Sequence, residues 1–145
     1  SIALDYHNGE LASLADVVQL NETLEKRLPI SQGGVGHNYS TSEQVVGTWI
    51  DGKPLYQKTV DCGYLSNATE KTVSHSIQNI DKIIKVDSIQ IWSNNLYASA
   101  NYNDVNNSNY ETMVLVDLTN VRLVTKTNSS EKYCYVTIQY TKTTD

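Results

Sequence analysis

The sequence predicts a mainly β protein: an antiparallel β-sandwich or jelly-roll head preceded by a short N-terminal α-helical, coiled-coil stalk. Three observations carry that expectation. Apolar residues recur at helical spacing only ahead of Pro29. From Glu43 onward the period is two, in short runs separated by turn signals. The composition has no Phe, ten Tyr and heavy use of Asn, Ser and Thr, which suits strands with polar faces and tyrosine-bearing loops. At 145 residues the chain holds one ordinary domain rather than two. The expected division is a stalk over 1–30, a linker over 31–42 and a head over 43–145.

In the stalk, Leu14, Asn21 and Leu28 recur every seven residues, with Val17 and Leu24 between them. Leu4, Leu11 and Val18 follow the same spacing on one flank. The result is a broad apolar stripe on a helix from about residue 10 to residue 28, stopped by Pro29. Two arrangements suit it. The stripe packs against its own domain, or it meets copies of itself with Asn21 as a polar core residue that sets register and strand number. A stripe this wide favours three or more strands over two. So short a bundle is marginal by itself and needs the following domain to hold it together.

The stretch ISQGGVGHNYSTSE is polar and Gly-rich and reads as a linker. Its Gly33, Gly34 and Gly36 do not make a phosphate loop, because no strand precedes them and no Gly-Lys-Ser/Thr follows. Beyond it, EQVVGTWI and KPLYQKTV are strand-like runs joined at Asp51-Gly52, a strong hairpin signal. Further strands are expected near TVSHSI, IIKVDSIQIW, ETMVLVDL, VRLVTKT and KYCYVTIQYTK, for seven or eight in total. In the last, Cys134, Val136, Ile138 and Tyr140 alternate with Tyr133, Tyr135, Thr137 and Gln139, which predicts one buried and one partly polar face.

A net charge of -5 with scattered Lys and Arg argues against a nucleic-acid surface, and no basic run suits an anionic membrane. No apolar stretch approaches the roughly 20 residues needed to span a bilayer, so no membrane insertion is expected. SIALDYHNGE lacks the charged and apolar regions of a signal peptide, and without an initiator Met the chain reads as a piece of something longer. Cys62 and Cys134 are too few for a disulfide framework and read as buried free thiols, able to pair if the fold brings them together. Five glycosylation sequons, at Asn21, Asn38, Asn67, Asn106 and Asn128, read as coincidence in a chain so rich in Asn, Ser and Thr.

Catalytic and metal signatures are absent from the sequence. His7, His37 and His75 are far apart, outside any ligand cluster, and read as surface or satisfied polar residues. There is no nucleophile elbow. A glycosidase needs two carboxylates facing each other across a cleft, and nothing in the pattern singles out such a pair. Hence no catalytic residue, no metal and no cofactor are expected. A recognition surface is expected over residues 92–110, where Trp92, Tyr97, Tyr102 and Tyr110 are interleaved with Asn94, Asn95 and further Asn residues. Aromatic faces beside amides suit sugar rings and, nearly as well, a protein epitope; the same residues also suit ordinary strands and a solvated loop.

The strings YSTSEQVVGTWIDGKPLYQKTV, VSHSIQNIDKII and YVTIQYTKTTD, at residues 39–60, 73–84 and 135–145, together resemble the C-terminal head module of bacteriophage tail-fibre and minor structural, receptor-binding proteins. The resemblance rests chiefly on the hairpin string and covers about residues 39–90 and 133–145; residues 93–131 lie outside it. It implies a homotrimeric virion protein at a tail-fibre tip, assembled in the host cytoplasm and contacting a bacterial surface glycan or other envelope receptor. It also implies that Asp145 is the natural C-terminus, and it transfers no binding residue, since the matched hairpin is scaffold. Some fibre tips hold iron through His-x-His repeats, which this chain lacks. Weak contacts repeated on three chains and many fibres gain about 10²–10⁴ in avidity over one site. The alternatives are a structural trimerisation, capping or decoration module without receptor binding, and a small glycan-degrading enzyme. With Leu14, Val17, Asn21, Leu24 and Leu28 as the oligomerisation residues, light scattering should return three times the chain mass of 16.2 kDa. A solution mass of one chain would contradict the trimer.

Overall fold

The computed structural model describes residues 38–145. The expected stalk, with its oligomerisation residues, therefore lies outside the described residues. The compact unit runs Tyr39–Asp145. Among the described residues there are eight strands: β1 Gln44–Thr48, β2 Pro54–Tyr64, β3 Glu70–Ser74, β4 Ile80–Ile91, β5 Tyr97–Ala98, β6 Thr112–Val116, β7 Asn120–Thr125 and β8 Tyr133–Lys142. They form two antiparallel sheets, one in the order β1-β2-β8-β4-β5 and one in the order β3-β7-β6. The two sheets share a core, the arrangement of a β-sandwich.

The end of the linker is tied into the large sheet, because the Ser40 carbonyl accepts the Thr59 N–H at 2.8 Å. β1 and β2 make the expected hairpin. Its loop is three residues long, Ile50–Gly52, closed by the Gly52 N–H on the Trp49 carbonyl at 2.9 Å and the Trp49 N–H on the Lys53 carbonyl at 2.8 Å. Gly52 has φ +89°, where a Cβ is unfavourable, and the Asp51 carboxylate accepts the Lys53 N–H at 3.0 Å. Asp-Gly is thus the signal for a turn followed by a left-handed residue.

β8 lies between β2 and β4 and pairs with both along nearly its whole length. Its alternation is as expected: Cys134, Val136, Ile138 and Tyr140 are buried, while Tyr133, Tyr135, Thr137 and Gln139 are half-buried. The buried set meets Val60 and Cys62 of β2 in the same sheet, and Val114, Val121 and Leu123 of the facing sheet. Each fully buried Val, Leu or Ile of this kind contributes about 1.5–3 kcal/mol. On the other face, the Thr59 and Thr137 hydroxyls bond at 2.8 Å and the Gln139 amide donates to Gln57 Oε1 at 2.9 Å.

One strand departs from the pattern reading. TVSHSI was expected to be extended throughout, but β3 stops at Ser74. The next residue, His75, turns inward and is 1% exposed. Its Nδ1 accepts the Ile77 N–H at 3.1 Å, so Nε2 carries the proton and donates to the Asp117 carbonyl at 2.9 Å. That bonding draws the chain off the ladder, with Ser76 at φ +55°. His75 is a satisfied buried polar residue.

Phenols bridge the strand ends. The Tyr133 hydroxyl donates to Asp61 Oδ1 at 2.6 Å, and that bond pushes its pKa up to about 12. At the other end the Tyr56 hydroxyl donates to Asp145 Oδ2 at 2.7 Å, again pushing the phenol up to about 12. Raised acid pKa values favour the neutral phenol in the folded chain. The associated stability is complete below the unfolded value near pH 10 and is lost as pH rises through the folded values. Stability should therefore fall on going from about pH 10 to about pH 12. In Asp61→Asn, ultraviolet titration should show one phenol ionising earlier than in the parent protein; an unchanged profile would remove the carboxylate as the cause.

Candidate functional site

β4 ends at Ile91, and the chain turns back through Trp92–Leu96 into β5. The Trp92 N–H bonds to the Leu96 carbonyl at 2.8 Å and the Asn95 N–H to the Trp92 carbonyl at 3.0 Å. Asn95 holds φ +63° and the Asn94 side chain accepts the Leu96 N–H at 3.3 Å, so both are turn-forming residues. The same use of amides recurs beyond β5. Asn101 Oδ1 accepts the Val114 N–H at 2.7 Å, and Asn107 Oδ1 caps the short 3-10 turn Ser108–Tyr110 through the Asn109 N–H at 3.1 Å. Much of the asparagine density that marked this segment is spent on backbone geometry.

The aromatic residues converge. A backbone bridge between Tyr102 and Thr112, with bonds of 3.1 and 3.0 Å, lays the segment beside β6. Tyr102 meets Trp92 edge-to-face, with ring centroids 5.4 Å apart at 87°. From the loop ahead of β8, Lys132 places its ammonium 4.4 Å from the Trp92 ring centre and 5.6 Å from that of Tyr110. Lys132 is fixed from both sides, since its N–H bonds to the Ser129 carbonyl at 2.9 Å and its carbonyl accepts the Leu65 N–H at 2.8 Å. Burial lowers its ammonium pKa, and among the described residues no carboxylate forms an ion pair with it. The two rings hold the charge instead, a contact worth about 0.5–2 kcal/mol depending on solvent exposure.

Of the residues expected to bind, Trp92, Asn94, Tyr102 and Tyr110 gather around Lys132 or line the adjoining depressions. Asn95 sits in the turn, and Tyr97, on β5 opposite Ile91 and 62% exposed, joins none of these ring contacts. Trp92, Asn94, Asn128, Ser130, Glu131 and Lys132 border a depression of about 340 Å³. Tyr102, Asn103, Met113, Val124 and Lys126 border a second, of about 620 Å³. The Trp92–Tyr102 pair contributes one ring to each. Trp92 Nε1 and Gln90 Oε1 are buried here without a hydrogen-bond partner among the described residues. No local pattern marks Lys132 or Asn128–Glu131, which reach Trp92 only because β8 and β4 are neighbours. Each depression has a single carboxylate on its wall, Glu131 in one and Glu111 in the other.

Among the described residues no group of three or more His, Cys, Asp or Glu is placed to hold a metal ion. No described helix is long and apolar enough to cross a membrane. No family model, curated protein or solved structure matches the chain.

Proposed function

We propose that the β domain is a non-catalytic receptor-binding head of a trimeric phage tail fibre, attaching to a bacterial surface glycan or envelope polymer. The observation that carries this is the cluster of Trp92, Tyr102, Tyr110 and Lys132 at one end of a rigid sheet, bordered by hydroxyl and amide side chains. Aromatic surface, a cation and planar amides together suit a polyhydroxylated chain, whose C–H faces stack while its hydroxyls bond. The phage-head likeness of residues 39–90 and 133–145 supports the same assignment, because those strings supply the scaffold while the cluster draws on the residues between them, outside the likeness. A single carboxylate in each depression favours binding over glycoside hydrolysis, which uses a facing pair.

One observation favours a structural capping role instead. The Lys132 ammonium covers a face of Trp92, and Tyr102 abuts the same ring edge-to-face. On that reading the cluster closes the end of the sandwich and binds nothing. Adsorption of the intact chain to susceptible cells separates the two. Tyr110→Ala removes a 45% exposed ring and should weaken adsorption about tenfold or more while leaving the melting temperature near that of the parent. Undiminished adsorption by this variant would move the binding surface elsewhere. Failure of the parent to adsorb, with loss of fibre assembly when the domain is deleted, would establish the capping role.

A further inference from the structure

We infer that Cys62 and Cys134 are an oxidisable dithiol, with Cys62 the attacking and Cys134 the resolving sulfur, which closes a disulfide between β2 and β8. Both thiols are free, and they are 2% and 0% exposed. The strand register brings them together. Asp61 pairs with Tyr135 and Gly63 with Cys134, so a bulge at Cys62 sets Cys62 and Gly63 against Cys134. Gly63 is the directly opposed residue, and the bulge brings Cys62 beside it on the buried face that Cys134 also occupies, so the two thiols are neighbours on adjacent strands. Cys62 lies two residues from the end of β2 and Cys134 is the second residue of β8, so the pair sits near a margin of the sheet.

The surroundings distinguish the two sulfurs. Lys71, on β3 of the facing sheet, donates its half-buried ammonium to the carbonyls of Cys62 and Tyr64 at 2.7 and 2.6 Å. Gly63 makes room for this: at φ +69° it has no side chain, and a Cβ there would stand 3.3 Å from Lys71 Nζ. A fixed cation beside Cys62 favours its thiolate. The Cys62 thiol donates to the Val60 carbonyl at 3.6 Å and the Cys134 thiol to the Tyr135 carbonyl at 3.8 Å, and the interaction between the two sulfurs lowers the pKa of Cys62 and raises that of Cys134. Burial and Asp61 oppose the lowering at Cys62; the Lys71 charge favours the thiolate at both sulfurs, and it is the Cys62 carbonyl that its ammonium bonds.

With hydrogen peroxide as the oxidant, a molecule small enough to reach a buried sulfur, the steps balance. The Cys62 thiolate attacks one peroxide oxygen, the O–O bond breaks, and sulfenic acid and hydroxide form, the hydroxide taking up the proton Cys62 had released to give the first water. The Cys134 sulfur then displaces the sulfenic oxygen and loses its proton, giving the disulfide and a second water. The pair gives up two electrons and both thiol protons. The product joins β2 to β8 covalently and closes a long loop of chain, so a domain folded in the reduced state becomes harder to unfold on meeting an oxidant.

The test is peroxide treatment of the folded full chain, read by intact mass, non-reducing peptide mapping and thermal melting. The expected product has lost the mass of two hydrogen atoms and yields a cross-linked Cys62–Cys134 peptide from one chain. Its melting midpoint should rise by about 10 °C and return on reduction. Products that gain oxygen without a cross-link, or that join two chains, would overturn the proposal. The roles are read from Cys134→Ser, which should accumulate a dimedone-reactive sulfenic acid at Cys62, and from Cys62→Ser, which should not label at Cys134. Equal labelling would overturn the assignment of Cys62 as attacker, and should either variant fail to fold, the parent's cross-link decides the pairing.

Discussion

The β-sandwich depends on β8 being held on both sides. β2 and β4 bond to it along nearly its full length, and its alternate residues fill the space between the sheets. A strand in that position has no free edge, and its register is strongly determined. Slipping it by one residue would send Val136, Ile138 and Tyr140 to the outer face and bring Thr137 and Gln139 into the core. The two strands beside it then fix where the loops emerge. Trp92 follows β4 directly and Lys132 precedes β8 directly, so their meeting at one end of the sheet is a consequence of strand pairing.

The opposite end of β8 shows how the same strand is anchored there. Tyr140 stacks on Tyr56 with centroids 5.8 Å apart and donates to Glu43 Oε2 at 2.5 Å. Glu43 also pairs with Lys142 at 2.7 Å, and Lys53 pairs with Asp81 at 3.0 Å. Burial pushes the Tyr140 phenol well above its ordinary range, and the bond to Glu43 adds to that. Partly buried, hydrogen-bonded contacts of this kind fix geometry more than they add stability.

Legibility in the sequence followed the range of the interactions. The period-two alternation in β8 and the Asp51-Gly52 turn are local, and both appear in the structure as the residues suggest. β3 was misplaced because an inward His75 and the left-handed Ser76 end it, and neither breaks the apparent alternation of TVSHSI. The asparagines of residues 93–110 looked like ligand contacts, yet Asn94, Asn95, Asn101 and Asn107 serve the backbone. Lys132 was invisible as a partner of Trp92 because only the β4–β8 pairing joins them. The pairing of Cys62 with Cys134 likewise depends on one register and one bulge, which spacing alone does not encode.

Native-state hydrogen exchange tests the role of β8 most directly. If β8 is the strand on which the sandwich is built, the amides of Val136, Ile138 and Tyr140 should be the slowest in the domain. Their opening free energy should match that of global unfolding by denaturant, while the edge strands β1 and β5 exchange faster. Exchange of those β8 amides at the rate of the edge strands would contradict the account.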